Sequence, residues 1–176
     1  GVAGCFVHQH HAENFSLPRL AGWWGNNPET RFTMPEQFIP KEGADGWQLS
    51  NAHVLSMAAH RASLEIFSEA GMNKLVQKSR LLTGYLFYVI EDVLMRNEIT
   101  DAIEIITPRD ENQHGCQVSM LVKKHGKRVF DFLSKNGVVA DWREPDVIRV
   151  APVPLYNTYT DVFNFGQILE TALQTK

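Results

Sequence analysis

Apolar positions recur along this chain with three different spacings, and each spacing predicts a different kind of element. From Ala52 to Ala70 the pattern is helical, with Met57, Arg61, Leu64 and the Ile66–Phe67 pair keeping roughly a 3.6-residue period. Gly71 breaks or bends it. A second helix is predicted over 73–96, where Leu75, Val76, Ser79, Leu82, Leu86, Val89, Ile90, Val93 and Leu94 form one stripe. At ~1.5 Å per residue it would run on the order of 35 Å, long enough to bridge two domains. After residue 100 the spacing changes. Ala102–Thr107 reads as a strand ended by Pro108, and Cys116, Val118, Met120 and Val122 alternate with polar neighbours as in a half-buried strand.

Residues 127–136 are amphipathic, with Gly137 placed as the C′ residue of a short helix. Two short strands are predicted at 138–140 and 147–150. Thr158, with Asp161 three residues later, matches a capping box for a last helix whose stripe is Val162, Phe165, Ile168, Leu169, Ala172 and Leu173. The order β, β, α, β, β, α predicts a small sheet with helices on one face, an α/β fold.

The first third is different. Gly4–His8 is short, apolar and partly β-branched, and predicts a buried strand. Residues 9–50 then show little periodicity and many turn formers, among them Pro18, Gly22, Gly25, Pro28, Pro35, Pro40, Gly43 and Gly46. Trp23, Trp24 and Trp47 also lie here, which is unlike a disordered linker and predicts an ordered loop packed on something, such as a partner chain.

Bulk composition narrows the function classes. The 176 residues are 44% hydrophobic and 21% charged with a net charge of −3, which is ordinary for a globular domain and attracts neither nucleic acid nor an anionic membrane. No apolar run approaches the ~20 residues of a membrane span. The only cysteines, Cys5 and Cys116, form no disulfide framework and no paired metal motif. A cytoplasmic setting is expected.

Three features could carry chemistry. His8, His10 and His11 lie within four residues, and on a strand His8 and His10 would share a face, but no third ligand is at hand. Gly22-Trp23-Trp24-Gly25 sets tandem indoles between glycines; an indole N–H only donates, so it suits an anion such as phosphate, or the rings plug an interface. Arg149, flanked by Ile148 and Val150, is expected to be partly buried and to need a carboxylate or phosphate. That partner is either a ligand gripped by the planar fork or an Asp or Glu of this chain.

These stretches also carry a resemblance. "VAGCFVH", "LAGWWG", "TRFTM", "QLSNA", "ASLEIF", "LLTGYL", "IITP", "GCQVS" and above all "IRVAPVPLYN" follow, in order and at matching spacing, the C-terminal part of kynureninases. The resemblance covers nearly the whole chain. It implies the small C-terminal domain of a pyridoxal-phosphate (PLP) enzyme of the aspartate-aminotransferase fold type. Residues 1–70 would be a remnant of the cofactor-binding large domain (strand, Trp-rich loop and helix), 71–98 the linking helix, and 99–176 the small α/β domain. The reaction implied is hydrolysis of L-kynurenine or 3-hydroxykynurenine to anthranilate or 3-hydroxyanthranilate and L-alanine, in tryptophan breakdown and NAD synthesis, by a homodimer.

It assigns Trp23 to the cofactor phosphate, across the dimer interface, Asn51 to the border of cofactor and substrate, and Arg149 to the substrate's α-carboxylate. It puts no catalytic residue in this chain. The Schiff-base lysine is expected a few residues upstream of Gly1, so the chain by itself is expected to be inactive. Gln9 stands where relatives are expected to be acidic. Two other readings remain at this point: a stand-alone, non-catalytic dimerisation or binding module, or part of another PLP enzyme of this fold, a cysteine desulfurase or aminotransferase. With Phe6, Trp23, Trp24 and Trp47 exposed, residues 1–50 are expected to self-associate or to be disordered.

Overall fold

The computed structural model describes residues 2–175, which divide into two compact units, 2–66 and 67–175. In the first, most of the chain is loop. Three short 3-10 turns, Gln9–His11, Arg31–Thr33 and Gly43–Trp47, are tied together by backbone hydrogen bonds and one isolated bridge, Asn26 with Pro40. Asn27 N–H donates to Ile39 O at 2.7 Å and Lys41 N–H to Gly25 O at 2.8 Å. The long aperiodic segment is therefore an ordered loop, as its tryptophans predict.

The strand expected at Gly4–His8 is not formed. A strand is a property of a pair, and this segment pairs with no other strand among the described residues; Phe6 is 85% exposed. Trp47 departs from expectation in the other direction. It is half-buried, with the Arg19 guanidinium 4.4 Å over its ring. Helix α1, Val54–Ala70, completes this part of the chain and crosses the unit boundary. It forms from good helix formers and an Arg61–Glu65 pair at i, i+4, 2.8 Å apart, yet none of its residues is buried.

The second unit holds the core. Helix α2, Met72–Arg96, buries Leu75, Leu82, Leu86, Val89, Ile90, Val93 and Leu94, as its stripe predicts, while Val76 stays exposed. Strands β1 (Ile103–Ile105), β2 (Val118–Val122), β3 (Asp141–Arg143) and β4 (Val147–Val150) form one antiparallel sheet in the order β1-β2-β4-β3. Helix α3, Gly126–Lys135, and helix α4, Tyr159–Gln174, complete the fold. Because side chains alternate along a strand, Ile103, Val118, Met120, Val122, Ile148 and Val150 share the face that packs against α2, α3 and α4. The result is the small sheet with helices on one face that the element order predicts.

The strand expected at 138–140 begins later, at Asp141, because α3 ends in a Schellman motif. Gly137, at φ +84°, is C′, and the Val138 N–H turns back to Leu133 O at 3.0 Å, so it is spent on the cap and not on the sheet. Thr158 and Asp161 do form the predicted capping box at the start of α4.

Candidate functional site

In the first unit the segment carrying the tandem tryptophans lies directly against the backbone of residues 46–49. A Cβ on Gly22 would stand 2.3 Å from Leu49 Cα, and one on Gly25 would stand 2.8 Å from Gly46 O. Only glycine permits that approach, so the two glycines hold Trp23 and Trp24 in fixed places between them. Trp23 is 44% exposed, with its ring edge-on to Phe32 at 5.3 Å and no acceptor for its indole N–H among the described residues. Trp24 is engaged within the unit: its Nε1–H donates to the Asn51 side-chain oxygen. With its oxygen engaged, the Asn51 side chain has its two amide N–H donors left to offer. The Arg31 guanidinium lies 4.8 Å over the Trp24 ring. The structure thus brings Trp24, Asn51 and Arg31 into one cluster, of which the sequence pattern singles out the indole pair, the resemblance adds Asn51, and neither points to Arg31.

The three histidines form a 3-10 turn instead of a strand. His8 Nδ1 accepts from the His10 backbone N–H at 3.1 Å, and the His10 and His11 rings meet edge to face at 4.9 Å. Among the described residues no group of three His, Cys, Asp or Glu side chains is arranged to hold a metal.

In the second unit Arg149 sits mid-strand in β4, between Ile148 and Val150, which point into the core. Alternation turns Arg149 to the opposite face of the sheet, directly across from Ser119 on β2 and Asp141 on β3. Asp141 Oδ2 accepts from Arg149 Nε at 2.6 Å, from Arg149 Nη2, and from Arg143 Nε at 3.0 Å. These donors, Arg149 foremost, hold the Asp141 carboxyl below the usual aspartate range. An intramolecular carboxylate partner for Arg149 is therefore present. It engages one edge of the guanidinium and leaves Nη1 without a hydrogen bond among the described residues, with the side chain 30% exposed. A fork held along one edge is oriented in advance for a second oxyanion on the other. Sequence reasoning missed Asp141 because its pairing depends on the β3–β4 register, and β3 starts later than the apolar pattern implies.

Comparison with known proteins bears on this arrangement. The sequence pattern of the kynureninase C-terminal domain matches residues 75–169, which is more than half of the chain and includes Arg149, Asp141 and the whole sheet. The chain belongs to the kynureninase family. It is 48% identical over 172 residues to the kynureninase of Flavobacterium psychrophilum, covering 98% of this chain and 40% of that protein. It is 51% identical over 166 residues to the kynureninase of Koribacter versatilis, covering 94% of this chain and 38% of that protein. With the kynureninase of Xanthomonas campestris the identity is 49%, over 97% of this chain and 39% of the relative. The chain thus spans about two fifths of the length of the kynureninases it matches. It carries their C-terminal part. The antiparallel sheet and its helices are consistent with the small domain of a PLP enzyme.

Proposed function

We propose that this chain is the C-terminal part of a cytosolic, homodimeric kynureninase. The complete protein would catalyse PLP-dependent hydrolysis of L-kynurenine or 3-hydroxykynurenine to anthranilate or 3-hydroxyanthranilate and L-alanine, within tryptophan breakdown. The observation that carries this reading is the identity of about half, over nearly the whole chain, to proteins named kynureninase. Residues 1–70 would belong with the cofactor-binding large domain, 71–98 would link, and 99–176 would form the small domain. The Schiff-base lysine would lie outside this chain, so the chain alone would not turn over substrate.

The donor set fits the cofactor and substrate. Trp23 presents an indole N–H that meets no acceptor among the described residues, and this suits the cofactor phosphate. Asn51, its oxygen engaged by Trp24, offers amide hydrogens toward the border of cofactor and substrate. Arg149, oriented by Asp141, offers its remaining edge to the α-carboxylate. PLP, when bound, supplies the electron sink for cleavage, and the protein's part is to bind and orient.

The test is anthranilate release from kynurenine by the complete encoded protein with added PLP, in wild type and in Arg149→Gln. Losing charge-assisted hydrogen bonds to a carboxylate costs about 1.5–3 kcal/mol, so KM should rise roughly ten- to hundredfold. Turnover of cysteine without turnover of kynurenine would overturn the proposal in favour of a desulfurase. An unchanged KM in Arg149→Gln would remove Arg149 from the substrate site.

A further inference from the structure

Arg31 is the one charged side chain buried among the described residues, at 6% exposure. Arg61, Arg80, Arg96, Arg109, Arg143 and Arg149 all sit on carboxylates of this chain. Arg31, although far more buried than these, has no hydrogen bond and no ion pair from its side chain among the described residues. Its Nε is fully buried and unpartnered, whereas its two terminal nitrogens reach the surface with no acceptor. One face of the guanidinium is covered by the Trp24 ring at 4.8 Å. The preceding turn holds it there: Arg31 N–H donates to Asn27 O at 2.9 Å, and Asn27 is itself pinned to Ile39.

Burying a guanidinium costs free energy unless an anion meets it. A π face recovers a part of that cost, but it contributes no acceptor for the in-plane N–H groups. A planar fork with its face stacked and its terminal edge open is the arrangement that takes a bidentate oxyanion. We infer that Arg31, stacked on Trp24, is an oxyanion-binding site that takes a phosphate or carboxylate group from outside the described residues. Two sources share this chemistry: a free or cofactor-borne phosphate, and a carboxylate. The inference does not depend on the role proposed for Arg149. Occupancy would stiffen Trp24, and through the Trp24–Asn51 hydrogen bond it would fix the direction of the Asn51 amide.

The experiment uses the complete encoded protein, deuterated and labelled with nitrogen-15 at arginine and tryptophan. Inorganic phosphate and then acetate are titrated at constant ionic strength with chloride, while the Arg31 Nε–H and the Trp24 indole N–H are followed by NMR. Saturable shifts of both resonances in the millimolar range are expected, with the Trp142 indole unmoved as an internal control. Arg31→Gln should abolish the shifts. Arg31→Lys, which keeps the charge but loses the fork, should weaken binding roughly fivefold or more, and it carries the test if the glutamine variant fails to fold. Saturation by phosphate alone assigns a phosphate source, and equal saturation by acetate assigns a carboxylate. Linear, non-saturating shifts, or saturable shifts that persist unchanged in both variants, would overturn the inference.

Discussion

Helices α2 and α4 meet at a glycine, and replacing it should cost stability in a way that one particular second change relieves. Gly166 of α4 is buried, and a Cβ added to it would lie 2.3 Å from Val89 Cγ1 on α2. Carbon atoms in contact prefer about 3.5–4.0 Å, so the methyl group is more than an ångström too close. Val89 cannot swing aside, because a β-branched side chain in a helix is nearly confined to one rotamer. Overpacking of this kind costs about 1–3 kcal/mol, against which the helix propensity gained from Gly to Ala recovers about 0.8–1 kcal/mol. Gly166→Ala should therefore destabilise the second unit by up to about 2 kcal/mol. In a chain of this size each kcal/mol lowers Tm by about 2–4 °C. Val89→Ala alone removes two methyl groups from the same contact and also destabilises, by about 2 kcal/mol. Together the two changes should cost less than their sum by about 1 kcal/mol, since the space vacated by one receives the other. Urea unfolding followed by circular dichroism at 222 nm measures all four proteins. Strictly additive effects, or a Gly166→Ala chain more stable than wild type, would refute the packing argument.

The capping box and the ion pairs give further expected outcomes. Thr158→Ala removes the side chain that accepts from Asp161 N–H, and should cost about 1 kcal/mol by the same urea assay, with Thr158→Ser close to wild type. The carboxyl of Asp141 is held below its ordinary value chiefly by Arg149. Its contribution to stability is therefore present above the ordinary aspartate range and is lost as pH falls through the depressed value. In Arg149→Gln the Asp141 titration, followed by carbon-13 NMR, should move upward, and acid unfolding should lose part of its steepness below the ordinary aspartate range. An unmoved titration would mean that Arg143 alone sets it.

How much of this is legible in the sequence varies by element. The stripe from Leu75 to Leu94 and the Thr158–Asp161 box are local patterns, and the structure reproduces both. The absence of a strand at Gly4–His8 is not legible, because five mostly apolar residues say nothing about whether a neighbouring strand is present to pair with them. The late start of β3 at Asp141 depends on a cap that draws in the Val138 N–H, a competition between helix end and sheet that apolar spacing does not register. Arg149 is legible as an arginine in want of an oxyanion; Asp141 as its partner is not, since they become neighbours only through the register of β3 and β4.

The sequence by itself determined which segments are helical, the α/β order of the C-terminal part, and, through its ordered motifs, the kynureninase family. All three rest on near neighbours: i to i+4 spacing, alternation, and residues read in series. Only the tertiary structure decided that Trp24 and not Trp23 holds Asn51, that Asp141 orients Arg149, and that Arg31 is buried without an anion. Those facts depend on which distant backbones come together, through glycine-permitted close approach in one unit and strand register in the other.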